Sequence, residues 1–401
     1  MRSHIQNKAF IVLLFLIGCS IIGCTRQKQL NHRSNHDEKG PLALLSDTTA
    51  SRRMPLEVRN FSSAVSIAAV GDIMLANYTS QYIHIHGLDY PFDSTRSVLL
   101  AADIAFGNLE APFTETGTKF EKTFNFKVPP KFAPSLIHAG FDVVTLANNH
   151  ILDYGMEGLK STLQVLDSIG LAYCGAGLSL EQAQRPTIIE RNGYRVAFLG
   201  YSLTFPEEFW ATPTSGGTNY PRNLPANIAH ANSLADLIVV TFHWGAEGSN
   251  YPKDYQKHFA HLAIDCGADL VIGHHPHVLQ GLEIYKNRLI AYSLGNFSFS
   301  SYSRRSTESM ILKVHLTKKG LLFAKIIPVS VDNYEVAFQP KVLRGRRANL
   351  ILDHLKEFSQ PLNSINIIDD RGYIWGRELS RGDSLMVQQL IAPQPGALQN
   401  E

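Results

Sequence analysis

Three histidines fall within four positions in Gly273-His274-His275-Pro276-His277. Packing seldom needs so many imidazoles side by side. Neutral imidazole is the commonest metal ligand, and its directional nitrogens suit zinc, iron, manganese or nickel. Pro276 stiffens the backbone between two of the rings and fixes where they point. The cluster follows Ala268-Asp269-Leu270-Val271-Ile272, a short apolar run expected to be a buried strand that delivers the histidines at its C-terminal tip. Four further apolar runs end in polar side chains. The run at residues 65–70 stops at Gly71-Asp72, and the run at 103–106 stops at Gly107-Asn108-Leu109-Glu110. The run at 142–146 leads into Ala147-Asn148-Asn149-His150, and the run at 237–242 into His243-Trp244-Gly245. In open α/β sheets ligands gather outside the carboxyl ends of the strands, so five such tips predict one crevice. A dication held there would activate water at neutral pH and polarise an oxygen under attack.

The elements that must position these tips are legible in outline. Up to about residue 275, strand-like runs alternate with helical patterns. Helices are expected at 130–139, after a proline pair, at 155–169, where Met156, Leu159, Leu163, Leu166 and Ile169 keep helical spacing before Gly170, and at 253–266. Residues 186–190 and 194–199 flank Arg191-Asn192-Gly193, a hairpin signal. After the histidine cluster the texture turns to strands, at 278–285, 288–294, 310–316 and 321–329. This order predicts an α/β fold of two face-to-face sheets with helices outside, a four-layer α-β-β-α sandwich. His258 and His261 are expected on a solvated helix face, because no carboxylate accompanies them as in His-Glu-x-x-His. His84 and His86 are expected on one face of a strand or loop and outside the site.

The ends of the chain read differently. Arg2 and Lys8 precede an apolar stretch at residues 9–22, of signal-peptide length and short for a membrane span. Gly18-Cys19 and Gly23-Cys24 each resemble a bacterial lipobox. Cys24 is favoured, because the apolar run continues to Ile22 and a polar segment follows, while Cys19 has the better-placed leucine. Residues 1–24 are thus expected to be a lipoprotein signal, and the mature chain a membrane-anchored protein of the bacterial envelope exposed outside the cytoplasm. Residues 25–61 have the composition of a flexible tether, residues 62–335 are expected to form the domain, and 336–401 a C-terminal extension with a charged helix. A hydrophobic content of 44% permits a sizeable core. A net charge of +2 without a basic stripe argues against nucleic-acid binding. Cys174 and Cys266 lie in apolar elements and are expected to be buried free thiols.

Taken in order, Gly71-Asp72, Gly107-Asn108-Leu109-Glu110, Asn148-Asn149-His150, His243-Trp244-Gly245 and Gly273-His274-His275-Pro276-His277 resemble the capsule-synthesis proteins of the CapA type, and Ser293-Leu294-Gly295-Asn296-Phe297 matches a further segment of that family. The resemblance spans about residues 65–300. It implies a role in poly-γ-glutamate capsule production and a fold like that of the calcineurin-like metallophosphoesterases, with one or two divalent ions (manganese, zinc, iron or magnesium). On that pattern Asp72 is the first metal-binding carboxylate, although Met74 stands where a histidine ligand is usual, so the first metal position looks depleted. Glu110 or Asn108 would take the bridging place, and only Glu110 can bridge with full charge. Asn149, His243, His275 and His277 match metal ligands, and His150 matches the residue that assists the leaving group as general acid.

Two functions follow, with a pseudo-enzyme that keeps only the shape as a third. One is an envelope protein of capsule assembly, working with a capsule-synthesis membrane complex, whose site binds an anionic poly-γ-glutamate-like polymer or acts on its amide linkage. The other is a metal-dependent phosphoesterase acting on a phosphorylated envelope substrate.

Overall fold

The computed structural model describes residues 64–376. The apolar runs fold as strands: β1 (Val65–Met74), β2 (Ile104–Leu109), β3 (Val143–Thr145), β4 (Ala172–Cys174) and β5 (Ala176–Gly177). There follow β6 (Thr187–Arg191), β7 (Tyr194–Ser202), β8 (Gly217–Thr218), β9 (Leu237–His243) and β10 (Leu270–His274). The last are β11 (Leu282–Tyr285), β12 (Arg288–Ala291), β13 (Asn296–Phe299), β14 (Glu308–Thr317), β15 (Gly320–Ser330), β16 (Lys341–Val342) and β17 (Tyr373–Trp375).

They assemble into two large sheets. One runs β16-β15-β14-β1-β2-β3-β4, with β13 beside the end of β1 and β17 on β15. The other runs β11-β12-β10-β9-β7-β6. The strands that carry the polar tips are parallel to their neighbours: β1, β2 and β3 in the first sheet, β7, β9 and β10 in the second. Side chains alternate across each strand. Val65, Ile67 and Ala69 of β1 thus meet Val239 of β9 and Ile272 of β10 in the core between the sheets. Ala68 and Val70 face outward against helices that bury Ile83, Leu99, Leu136, Leu159, Leu163 and Leu166. On the other side Ile238, Val240 and Phe242 meet Leu224, Ile228, Ala260 and Ala263. Each fully buried valine, leucine, isoleucine or phenylalanine among them contributes roughly 1.5–3 kcal/mol. The result is the four-layer α-β-β-α sandwich.

Four aspartates set the register at the far end from the tips. Asp103, just before β2, accepts the Ser66 N–H of β1 at 2.7 Å, and Asp142, just before β3, accepts the Ala105 N–H of β2 at 2.8 Å. In the second sheet Asp236 accepts from Arg195 and Asp269 from Ile238, both at 2.9 Å. Each carboxylate satisfies the first orphan donor of its neighbouring strand, which pins adjacent parallel strands and so aligns their C-terminal ends.

The stretch after residue 335, set apart in the sequence, folds with the sheets. The helix Gly345–Ser359 buries Ile351, Leu352 and Leu355 in the core between the sheets, and Ser359 Oγ accepts the Leu282 N–H of β11 at 2.8 Å. β17 pairs antiparallel with β15. The helix carries its apolar residues at helical spacing, but only the tertiary structure supplies the open edge they fill. Cys174 is a buried free thiol, and Cys266, at the end of the helix Asp254–Asp265, is a half-buried one. The signal, lipobox and tether segments lie outside the described residues. Among the described residues no helix is long and apolar enough to cross a membrane.

Candidate metal centre

The tips converge. β1 carries Asp72 two residues before its end, β2 runs into Glu110, the turn after β3 carries Asn149 and His150, β9 ends in His243, and β10 leads into His275 and His277. Two close backbone approaches make this possible. A Cβ at Gly71 would lie 1.8 Å from Gly295 O, so only glycine lets β13 replace β14 as the neighbour of β1 there. A Cβ at Gly273 would lie 1.9 Å from Tyr292 O. Beyond Gly273, His275 and His277 take left-handed backbone angles, φ 93° and 59°, with Pro276 between them. Non-glycine residues are held so only where the surroundings over-determine them, and such strain gathers at functional sites.

The carboxylates are wholly buried. Asn108 Nδ2 donates to Asp72 Oδ1 at 2.9 Å and to Glu110 Oε2 at 3.1 Å, and lies 3.3 Å from His243 Nδ1. Asn148 in turn donates to Asn108 Oδ1 at 3.0 Å and accepts the His150 N–H at 3.1 Å. The two asparagines therefore orient the carboxylates and the turn bearing His150. His277 Nδ1 donates to Asn296 Oδ1 at 2.9 Å and lies 3.2 Å from Asp72 Oδ2, while its Nε2 lies 3.8 Å from Glu110 Oε1. His243 Nε2 sits 2.9 Å from Asn149 Oδ1 and 3.7 Å from Glu110 Oε1. Glu110 Oε1 and His275 Nδ1 are buried without a hydrogen-bond partner among the described residues. Burial of an unpaired acceptor is costly, and Glu110 Oε1, with His243 Nε2 at 3.7 Å and His277 Nε2 at 3.8 Å, stands where a cation would pair it.

Electrostatics follow this geometry. Burial opposes the charge on Asp72, but the imidazoles of His274 and His277 outweigh it and hold the carboxyl well below its ordinary range. Burial, with the charge of Asp72 added, pushes Glu110 well above its ordinary range. Burial and the neighbouring rings hold His243 well below its usual value, and His275 down to about 3, so both are neutral nitrogen donors. Three donor groups emerge: Glu110 with His243 and His275, Asp72 with Glu110 and His277, and Glu247 with His275 and His277. Glu110 belongs to two of them.

His150 lies beside this cluster. Its Nδ1 donates to Asp153 Oδ2 at 2.8 Å, and Lys122 Nζ pairs with Asp153 Oδ1 at 2.6 Å while also bonding the Asn149 carbonyl. Burial lowers the His150 pKa against the pull of Asp153, so the ring rests neutral.

All seven predicted site residues thus come together. The sequence reading missed Lys122 and Asp153, which stand far from any strand tip or follow one by several residues, and His274, whose Nδ1 lies 3.3 Å from Asp72 Oδ1. Asp153 had a local signal, three residues after His150. Met74 occupies the apolar layer outside the sheet, and His277, in the turn after β10, stands beside Asp72. His84 and His86 lie in the last turn of the helix Asn77–His86 and not on a strand or loop. The helix forms because its buried face, Thr79 and Ile83, recurs at four-residue spacing. His258 is exposed as expected, but His261 stacks on Tyr285 at 4.0 Å and bonds Glu283 at 2.9 Å, since a sheet edge packs over that turn.

With the cluster so placed, the comparisons with known proteins bear on the same residues. The family described as bacterial capsule synthesis protein PGA_cap matches residues 66–301, from the start of β1 to just past β13. This chain belongs to that family. Every residue of the metal centre lies inside the matched span, whereas the helix Gly345–Ser359 and β17 lie outside it. The capsule biosynthesis protein CapA of Bacillus anthracis is 34% identical over 278 residues, covering 67% of this chain and 68% of its own. The PGA biosynthesis protein CapA of Bacillus subtilis (strain 168) is 34% identical over 286 residues, covering 69% and 74%. Among solved structures, 5'-nucleotidase from Candida albicans SC5314 covers 75% of this chain and 59% of its own at 12% identity and a TM-score of 0.41, a loose likeness of layout only.

Proposed function

We propose that this PGA_cap protein serves the making of an anionic capsule polymer of the poly-γ-glutamate class, acting on that polymer at a divalent-metal site formed by the strand tips. The observation that carries the reading is the buried donor set in which Glu110 is common to two groups, with Glu110 Oε1 and His275 Nδ1 left without a hydrogen-bond partner among the described residues. Asp72, Glu110, His243, His275 and His277 would hold the metal, with Asn149 Oδ1 as a further oxygen donor. The mix of imidazole and carboxylate suits zinc, iron or manganese better than magnesium. Such an ion, when bound, supplies Lewis-acid polarisation of the oxygen under attack.

The chain's own residues do the rest. Asp153 fixes the His150 ring through Nδ1, which leaves Nε2 as the atom that takes up and returns a proton. Lys122 holds Asp153 and the turn of Asn149 in place. In our reading the protein works in the envelope outside the cytoplasm, held by lipid on Cys24 or Cys19 and acting with the membrane proteins of capsule synthesis.

The test is metal analysis of the purified full-length protein, then assays on γ-linked glutamate oligomers beside a generic phosphodiester. Cleavage of the oligomer with His150→Ala lowering the rate about 10²–10⁴-fold at unchanged metal content supports the reading. Turnover of the phosphodiester alone points to the phosphoesterase function instead, because the shared Glu110 suits a pair of ions clamping a phosphoryl group equally well. A purified protein without metal would refute both. Fractionation of a Cys19→Ala/Cys24→Ala double variant checks the anchor: unchanged size and membrane retention would exclude a lipoprotein.

A further inference from the structure

Next to the metal centre the surface carries a ledge of aromatic rings that the chemistry above leaves unused. Tyr78, Tyr302 and Tyr334 are 47%, 36% and 57% exposed, yet they pack on one another and on the buried ring of Phe338. Tyr302 lies 5.1 Å from Tyr78, 4.9 Å from Tyr334 and 5.1 Å from Phe338, centroid to centroid, and Tyr78 stacks on Phe338 at 5.7 Å. The guanidinium of Arg304 covers the Tyr334 ring at 4.2 Å.

The ledge is continuous with the site. Tyr78 follows four residues after the end of β1, the strand of Asp72, and Tyr302 three after the end of β13, the strand of Asn296. Tyr78 N–H donates to Ser300 Oγ at 2.9 Å, and the Phe299 ring packs on the His277 imidazole at 4.8 Å. The backbone under it is strained: Ala337 and Phe338 in succession take left-handed angles, φ 51° and 65°, and so does Asn77 at 48°. Two consecutive non-glycine residues in that region are unfavourable, and for a bulky ring the more so. Hydrogen bonds hold them there, from Phe338 N–H to Asn333 Oδ1 at 2.9 Å and from Ser298 Oγ to Phe338 O at 3.2 Å. Core packing alone does not call for rings left about half in water on a strained support.

Building on the capsule-polymer reading, we propose that this ledge is the polymer-binding subsite of the metal centre, taking a γ-linked polyglutamate chain. The repeat of such a chain offers a flat amide, two methylenes and one carboxylate. The amide and methylenes lie over the tyrosine faces, and the carboxylate meets the planar fork of Arg304, with Arg305 exposed beside it. The acids nearby are already engaged, Glu335 by Arg347 at 2.7 Å and Asp332 by the Tyr334 N–H at 3.1 Å. A neutral glycan would use the rings but has no need of the guanidinium, so the charge favours a carboxylate-bearing chain.

The experiment is calorimetric titration of the full-length protein with a short γ-linked glutamate oligomer, in chelator so that no turnover intervenes. Arg304→Gln and the Tyr302→Ala/Tyr334→Ala pair should each weaken binding about tenfold or more, as expected for a removed cation or stacking face. Their metal content on reloading should equal the parent's. Arg304→Lys should recover only part of the loss, and added salt should weaken parent binding. If the parent binds the oligomer and the variants bind it equally well, the ledge assignment falls while the polymer reading stands. If the parent binds no oligomer, both fall. Equal affinity of the parent for neutral dextran would overturn the carboxylate assignment and make the ledge a sugar platform.

Discussion

Replacing Glu110 by Gln should make the metal-free protein more stable and the metal-loaded protein less so. Glu110 is wholly buried, and its Oε1 has no hydrogen-bond partner among the described residues. Burial and the nearby charge of Asp72 both disfavour its ionised form. Without metal the protein therefore carries an unsatisfied acceptor at the centre of its site, a defect worth about 1–3 kcal/mol. Glutamine keeps the volume and the contact with Asn108, cannot ionise, and can place an N–H where Oε1 lacks a partner, 3.8 Å from His277 Nε2 in the parent. Recovery of that 1–3 kcal/mol would raise the melting temperature by roughly 2–5 °C in a domain of this size. Metal reverses the order. A ligand at a hundred times its dissociation constant adds about 2.7 kcal/mol to a protein that binds it only when folded. The variant lacks the carboxylate common to two donor groups and should gain little. Thermal and urea unfolding in chelator, then with zinc or manganese titrated in, would show the crossing. The reasoning fails if the variant is the less stable protein in chelator, or if metal raises both melting temperatures equally.

Two further predictions address the scaffold. Asp142→Ala removes the acceptor of the Ala105 N–H and the partner of Arg191 at 2.7 Å, which should cost about 1.5–3 kcal/mol in urea unfolding. Metal content should not change, since Asp142 lies at the other end of β3 from the tip; a loss of under about 0.5 kcal/mol would mean the aspartate ladder is ornamental. The third concerns pH. Burial, with Lys313 assisting, lowers the pKa of His315 to about 4 from an ordinary 6.5, so the unfolded chain takes up this proton first as pH falls. The stability tied to the neutral ring is whole above about pH 6.5 and lost progressively toward pH 4, up to about 3 kcal/mol. His315→Phe, which keeps an aromatic face against Phe323, should flatten that part of the profile. An identical slope in parent and variant, both in chelator, would contradict it.

The sequence by itself determined the strands that carry the site and what stands at or beside their ends. That information is local: a short apolar run makes a buried strand, and the polar residues next in line must lie at its tip, so Asp72, Glu110, Asn149, His150, His243, His275 and His277 could be named before any packing was known. The close contacts at Gly71 and Gly273 were present as letters without a stated reason. Only the tertiary structure decided what those tips meet. His277 beside Asp72, Asn108 on the Asp72 carboxylate, and Lys122 holding Asp153, the partner of His150, are contacts between residues far apart in the chain and on different elements. No periodicity records such a contact. The same holds for Met74, whose place in the apolar layer follows from the side of the strand it lands on, and for the helix Gly345–Ser359, whose apolar face is visible while the gap it fills between β15 and β11 is not. Local backbone preference acts within a few residues, whereas a buried charge is satisfied by whatever the fold brings within 3–4 Å of it, and that is settled only when both sheets close.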